Sequence, residues 1–222
     1  MKAKIIIHNQ VSLNGAYLGF NVDMNKYYAA LNAYKPDLIL IGSNTALQAI
    51  DMFHETIPEE VEDDFRKPSI EKNDKRPYWV VPDSEGKLKD LLHIYRNSGY
   101  CKDIIVLISR NTSDEYKQYL HERHYDFIIS GYLKVDLLSA IELVEERYKP
   151  KTIVTDCGGK LVRRLFKLNF VSQISLIVSP VITQNKYDGL FSNLDIPRNM
   201  KLTRTKVESL DDDLIHLTYI VN

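Results

Sequence analysis

Three short clusters in this 222-residue sequence combine residue types that hold phosphate: Gly42-Ser43-Asn44-Thr45, Ser109-Arg110-Asn111-Thr112 and Asp156-Cys157-Gly158-Gly159-Lys160. Glycine lets the backbone approach a ligand because it has no Cβ in the way. A helix that starts beside such a glycine aims free N–H groups at whatever sits there, which favours an anion. Arginine adds a planar, charge-assisted fork. Taken singly, each cluster also reads as an ordinary turn, since Ser, Asn and Gly suit turn backbone on geometric grounds alone. Arg110 by itself equally reads as a solvated surface residue. Together they supply what a dinucleotide needs: glycine-lined contact for the pyrophosphate, plus an arginine and hydroxyls for a ribose phosphate. An arginine at that place favours NADP over NAD.

Each cluster follows an apolar run of strand type: Leu38–Ile41, Ile104–Ile108 and Ile153–Thr155. Lys4–Val11 is Ile-rich with little alternation, as in a strand buried on both faces, and Ser12-Leu13-Asn14-Gly15 reads as the turn after it. Helices are expected over residues 25–34 (stopped by Pro36), about 45–52, 88–95, 113–123 and 135–148, and again after Gly158-Gly159. In 135–148 the expected inner face is Leu138, Ile141, Val144 and Tyr148; after the glycines it is Leu161, Leu165 and Leu168. Further strands fall at 78–81, 126–129 and 173–180, and residues 201–207 and 214–221 read as a closing antiparallel pair. Repeated strand-then-helix order argues for a mainly parallel α/β sheet with antiparallel strands at the C-terminal end. Ligands of such sheets bind beyond the carboxyl ends of parallel strands, where all three clusters fall. The expectation is that the three tips share one elongated anionic guest. The acidic stretch 53–75, interrupted by Pro58 and Pro68, lacks any period and reads as a solvated surface loop or an active-site flap.

The length suits one domain, 1–222, with an acidic insertion at 53–77. A net charge of -1 gives no electrostatic reason to expect nucleic acid. No apolar run is long enough to cross a bilayer, and no signal peptide is evident. Two cysteines without a C-x-x-C fit a reducing cytoplasm and leave no cysteine-based zinc site; the six histidines include no H-E-x-x-H, so no metal is expected. G-x-G-x-x-G, the P-loop and G-x-S-x-G are all absent. Cys157 reads as a small packed residue, with a nucleophile as the alternative.

The order of motifs resembles the RibD C-terminal domain family, the reductase domain of the bifunctional riboflavin-biosynthesis deaminase/reductase. Val11-Ser12-Leu13-Asn14-Gly15 is similar to its "SLDG" segment, and Ile41 to Leu47 to its "VGxxTxL". Arg76 to Ser84 is similar to "RPxxVVxDS", Gly131 with Val135-Asp136-Leu137 to "G…VDL", Thr152 to Phe166 to "VEGGG-T-L", and Phe170-Val171 through Ser179-Pro180 to "LVDEL…SP". The resemblance implies a dihydrofolate-reductase-like fold: a mixed, mostly parallel sheet flanked by helices, with antiparallel C-terminal strands, assembled as a homodimer. It implies NADPH-dependent reduction of a small-molecule substrate, a phosphoribosylamino-pyrimidine whose ring-opened sugar imine becomes a ribitylamino product. By position, Gly42, Ser43, Thr45, Ser109, Arg110, Gly131, Asp156, Gly158, Gly159 and Lys160 would serve the cofactor. Ser12 and Asn14 would face substrate, with Asn14 in the catalytic place.

Departures from the family pattern fall mostly on the substrate side. Its Asp in "SLDG" is Asn14, its Glu and first Gly before the glycine pair are Asp156 and Cys157, and its basic pair for the substrate phosphate aligns with Leu31 and Ala33. Lys160 and Val162 replace its Thr and Asn, Arg163 and Arg164 stand nearby, and no deaminase zinc motif is present. Two other readings therefore accompany the first: reduction of a pterin or another heterocycle, and a dinucleotide-binding dimer without catalysis.

Overall fold

Among the described residues the chain forms nine strands, most of them apolar runs, with helices between most of them. A computed structural model describes residues 2–53, 56–184, 186, 189–195 and 200–222. In chain order the elements are β1 (Lys4–Ser12), α1 (Met24–Asn32), β2 (Leu38–Ile41), α2 (Ser43–Phe53), a 3-10 turn (Glu62–Phe65), β3 (Tyr78–Pro82) and α3 (Leu92–Arg96). There follow β4 (Ile104–Ile108), α4 (Asp114–Glu122), β5 (Asp126–Ile129), α5 (Leu137–Tyr148), β6 (Thr152–Asp156), α6 (Gly159–Lys167), β7 (Val171–Ser179), β8 (Leu202–Ser209) and β9 (Ile215–Val221).

The chain divides into two compact units, Met1–Pro36 with Lys151–Asn222, and Asp37–Pro150. In the second unit the strands pair in the order β5-β4-β3-β2, all parallel. Their carboxyl ends therefore share one edge, and the tips of β2 and β4 flank that of β3. In the first unit the order is β6-β1-β7-β9-β8. There β6, β1 and β7 are parallel, while β9 and β8 close the edge antiparallel. The mixed, mostly parallel sheet with an antiparallel C-terminal end is as the sequence implies.

Side chains place the helix ends. Asp23 caps α1 by accepting from the Asn25 and Lys26 N–H groups, Ser113 caps α4 and Asp136 caps α5, each worth about 1 kcal/mol. Some phases differ from the sequence reading. The inner face of α5 is Leu137, Ala140, Ile141 and Val144, and Leu138 is exposed. That of α6 is Val162, Leu165 and Phe166, with Leu161 and Leu168 only half-buried. Adjacent apolar pairs (Leu137-Leu138, Leu161-Val162, Leu165-Phe166) allow two stripes, and packing selects one. The α3 helix shrinks to five residues, all buried.

The acidic stretch differs more. Two of its residues, 54 and 55, lie outside the described ones, but Glu60 forms a two-pronged ion pair with Arg123, the residue that ends α4, 2.6 Å to each oxygen. Asp64 is buried, accepts from the Val61 N–H and from Asn97, and Arg96 donates to its carbonyl. Lack of periodicity marked lack of a long helix; Glu60 and Asp64 anchor the stretch, while Glu59, Glu62, Asp63 and Glu71 are exposed, as in the surface loop expected.

Candidate functional site

In the unit Asp37–Pro150 the site begins at Gly42. The α2 helix starts directly after it, two residues earlier than its pattern suggests, so the N–H groups of Ser43, Asn44 and Thr45 have no intrahelical acceptor. A Cβ on Gly42 would meet nothing nearer than Thr45 Oγ1 at 3.7 Å, so the space over this backbone is open. Lys87, which the sequence reading passed over, donates to Asn44 Oδ1 at 3.1 Å and sets a cation beside the helix start.

The loops after β3, β4 and β5 are knitted together. Ser109 is buried, its hydroxyl bonded to Thr112 Oγ1 and to the Leu133 carbonyl, and Thr112 donates to the Ser84 carbonyl. Ser84 accepts from the Val135 N–H. Arg110 N–H donates to the Gly131 carbonyl and Asn111 N–H to that of Tyr132. Gly131 has φ +79°, and a Cβ there would sit 2.2 Å from the Lys134 carbonyl oxygen, so only glycine fits. Ser109 and Gly131 thus build the platform. The Arg110 side chain is exposed and makes no hydrogen bond or ion pair among the described residues.

In the other unit β1, β6 and β7 end on one edge at Ser12, Asp156 and Ser179. Ser12 donates to Asn14 Oδ1 at 2.8 Å and accepts from the Ala16 N–H. The Asn14 amide is held from both ends: Oδ1 also accepts from the Thr183 N–H and hydroxyl, and Nδ2 donates one hydrogen to the Thr183 carbonyl. The glycine pair is committed as well. A Cβ on Gly158 would lie 2.9 to 3.1 Å from the Tyr17 ring, and one on Gly159 would lie 3.2 Å from the Leu190 carbonyl oxygen. The protein itself fills the close approach that the sequence suggested for a ligand. What remains open at the start of α6 is the pair of N–H groups of Gly159 and Lys160, which have no acceptor among the described residues, and the exposed Lys160 side chain.

Asp156, at the end of β6, is a half-buried carboxyl at this edge. Its Oδ1 accepts from the buried Tyr27 hydroxyl at 2.7 Å, and burial pushes its carboxyl above the usual range, partly opposed by that hydrogen bond. Behind Tyr27, His8 bonds the Tyr27 carbonyl through Nε2 at 3.2 Å and Ser175 through Nδ1 at 2.9 Å, and Ser175 bonds His216 at 2.8 Å. With Nε2 of His8 donating to a carbonyl, Nδ1 must accept from Ser175, whose oxygen then accepts from His216. Adding a proton to His8 breaks that order, and burial lowers its pKa to about 4. Cys157 is buried, accepts from the Thr155 hydroxyl and is pushed up to about 12, so it is a packed thiol and not a nucleophile. No cluster of metal-ligating side chains occurs among the described residues.

An open helix start at Gly42 and an uncommitted arginine at the tip of β4 fit the phosphates of a dinucleotide; Gly158 and Gly159 are explained by packing. This architecture is of the dihydrofolate-reductase-like class. The family model of the RibD C-terminal domain matches residues 5–216, and the chain belongs to that family. A comparison with curated proteins gives no match. Among solved structures it is similar to a pyrimidine reductase-like protein from Corynebacterium diphtheriae, with TM-score 0.71 and 17% identity over 99% of this chain and 92% of that one. It is also similar to the Saccharomyces riboflavin biosynthesis reductase Rib7, with TM-score 0.66 and 13% identity over 100% and 90% of the chains. Dihydrofolate reductase from Enterococcus faecalis, solved with NADP(H), matches with TM-score 0.50 and 9% identity over 99% and 96%.

Proposed function

We propose that the protein is an NADPH-dependent reductase of the riboflavin-biosynthesis type, acting on the ring-opened imine of a phosphoribosylamino-pyrimidine. The observation that carries this reading is the family match over nearly the whole chain. The open backbone at Gly42 and the uncommitted Arg110 support the choice of a phosphorylated dinucleotide, with Ser43 and Thr45 as further donors. Bound NADPH would supply the hydride. The chain's own residues hold the phosphates at Gly42 to Thr45 and at Arg110, and Ser12 with Asn14 fixes the turn beside the end of β6. Asn14 therefore shapes the substrate side rather than exchanging a proton.

Reduction of a pterin or another heterocycle is the second reading. It is favoured by Leu31, which aligns with half of the family's basic pair but is fully buried and offers a substrate phosphate nothing. Titration of NADPH and NADH by fluorescence, then NADPH oxidation with the pyrimidine, tests the assignment. No saturable binding below about millimolar, a free energy of only about -4 kcal/mol, rejects both enzyme readings. Binding without oxidation favours the second.

A homodimer belongs to the same reading. Leu202, Val207, Ile215, Leu217, Tyr219 and Val221 share one face of the β8–β9 pair by register, with Arg204 and Ser209 among them, and Leu202, Val207 and Ile215 are exposed on it. A largely apolar sheet face of this kind suits a second copy. Sedimentation of the full chain tests it, and a monomer at every concentration rejects it. No helix among the described residues is long and apolar enough to cross a membrane.

A further inference from the structure

The family pattern places a glutamate where this chain has the shorter Asp156, and the structure shows what meets that carboxyl. Tyr27 stands on the inner face of α1, one turn before Leu31, and both are buried. Its hydroxyl has two acceptors within reach, Asp156 Oδ1 at 2.7 Å and the His8 backbone carbonyl at 3.2 Å. A phenol has one proton and one accepting oxygen. When Asp156 is charged, Tyr27 donates to it. When Asp156 carries a proton on Oδ1, Tyr27 turns its own proton to the His8 carbonyl and accepts. Both protonation states are thus hydrogen-bonded without moving a heavy atom, which is how a preorganised proton site is built. The His8 ring, 4.6 Å from the Tyr27 ring, holds the phenol in place through the Tyr27 carbonyl. The second oxygen of Asp156 makes no hydrogen bond among the described residues, and the residue is half-buried rather than buried.

We propose that Tyr27 is the positioning residue for Asp156, and that Asp156 delivers the proton in the reduction at the end of β6. The inference rests on the reductase reading above. Reduction of a C=N bond needs a hydride at carbon, from the dihydronicotinamide, and a proton at nitrogen, which takes the π electron pair. The Asp156 O–H bond breaks, the N–H bond forms, the carboxylate keeps its electron pair, and Tyr27 turns its proton to the new charge. Water restores the proton at the open oxygen.

Among the described residues the titratable groups around the pair are Tyr28 on α1, whose ring is 5.3 Å from that of Tyr27, Cys157 just after β6 and His8 on β1. At neutral pH His8, lowered to about 4, and Cys157, raised to about 12, are both uncharged. On α6, Lys160 and Arg164 face solvent and Arg163 donates to the Ser192 carbonyl. Burial is the larger influence on Asp156 and raises its pKa; among the described residues the Tyr27 hydrogen bond opposes it.

The test follows the carboxyl carbon of Asp156 by NMR in the full-length protein, with the signal assigned by its loss in Asp156→Asn, alongside the pH profile of turnover. Tyr27→Phe keeps the ring and removes the hydroxyl. The expected result is that the Asp156 titration moves up by about one pH unit or more, the worth of one hydrogen bond to a charged group. The alkaline limb of kcat moves with it, and KM stays. Asp156→Asn is expected to slow reduction about a hundredfold or more. Coincident titrations of wild type and Tyr27→Phe, or turnover by Asp156→Asn at the wild-type rate, overturn the proposal. A wild-type protein that oxidises no NADPH with any pyrimidine overturns the reductase reading instead, and the carboxyl titration needs no turnover.

Discussion

Asn14 grips Thr183 from both sides, accepting from its N–H at 3.0 Å and its hydroxyl at 3.2 Å while donating to its carbonyl at 3.1 Å. The aspartate that the family pattern carries here would turn a carboxylate oxygen toward that carbonyl. Asn14→Asp is therefore expected to destabilise the protein, by about 1 kcal/mol since the position is exposed. Urea unfolding at neutral pH checks this. Equal stability would mean that the turn rearranges readily around a carboxylate.

Glycines that serve a ligand and glycines that serve the chain should separate by stability. Gly131→Ala forces a Cβ to 2.2 Å from a backbone oxygen at φ +79° and is expected to cost about 3 kcal/mol or more. Gly42→Ala meets only Thr45 Oγ1 at 3.7 Å, so the fold should tolerate it while NADPH affinity falls about tenfold. Thermal unfolding and dinucleotide titration on the two variants decide the matter. Unchanged affinity in Gly42→Ala would remove Gly42 from the cofactor site.

Arg110→Ala should leave stability unchanged, because the side chain is exposed and bonded to nothing in the described protein. If the guanidinium reads a ribose phosphate, NADPH binding weakens by about 1.5–3 kcal/mol and NADH binding does not. Parallel weakening of both rejects the role.

His8 should make stability depend on pH. Its folded pKa is about 4 against a usual 6.5, so the unfolded state binds the extra proton first. Its contribution is fully present above 6.5 and is lost as pH falls through that window, by about 3 kcal/mol in all. Asp156 and Asp103, both raised by burial, act in the opposite sense, since the folded state takes up their protons first. The clean measurement is the difference between wild type and His8→Gln. The variant should lose less stability between about pH 7 and pH 4.5, and identical slopes would contradict the tautomer order of His8, Ser175 and His216.

The strands, their succession along the chain and the clusters at their ends were legible because apolar runs and turn residues are local signals; their order in the sheet was not. The roles of individual glycines were not, because what stands opposite Gly158 and Gly159 is Tyr17 and Leu190, far away in sequence. The anchors in the acidic stretch were hidden for the same reason: Glu60 reveals its role only through Arg123. The pairing of Asp156 with Tyr27 left one trace, a tyrosine one turn before Leu31 on the same face of α1, which reads equally well as packing.

The most direct measurement follows NADPH absorbance with this protein and the phosphoribosylamino-pyrimidine, offered in both its amino and its deaminated form, with the product read by mass spectrometry. The account predicts protein-dependent oxidation matched by a ribitylamino product heavier by one hydride and one proton, and much slower oxidation of NADH. Saturable NADPH binding with no oxidation beyond the protein-free rate, in either form of the substrate, would contradict it.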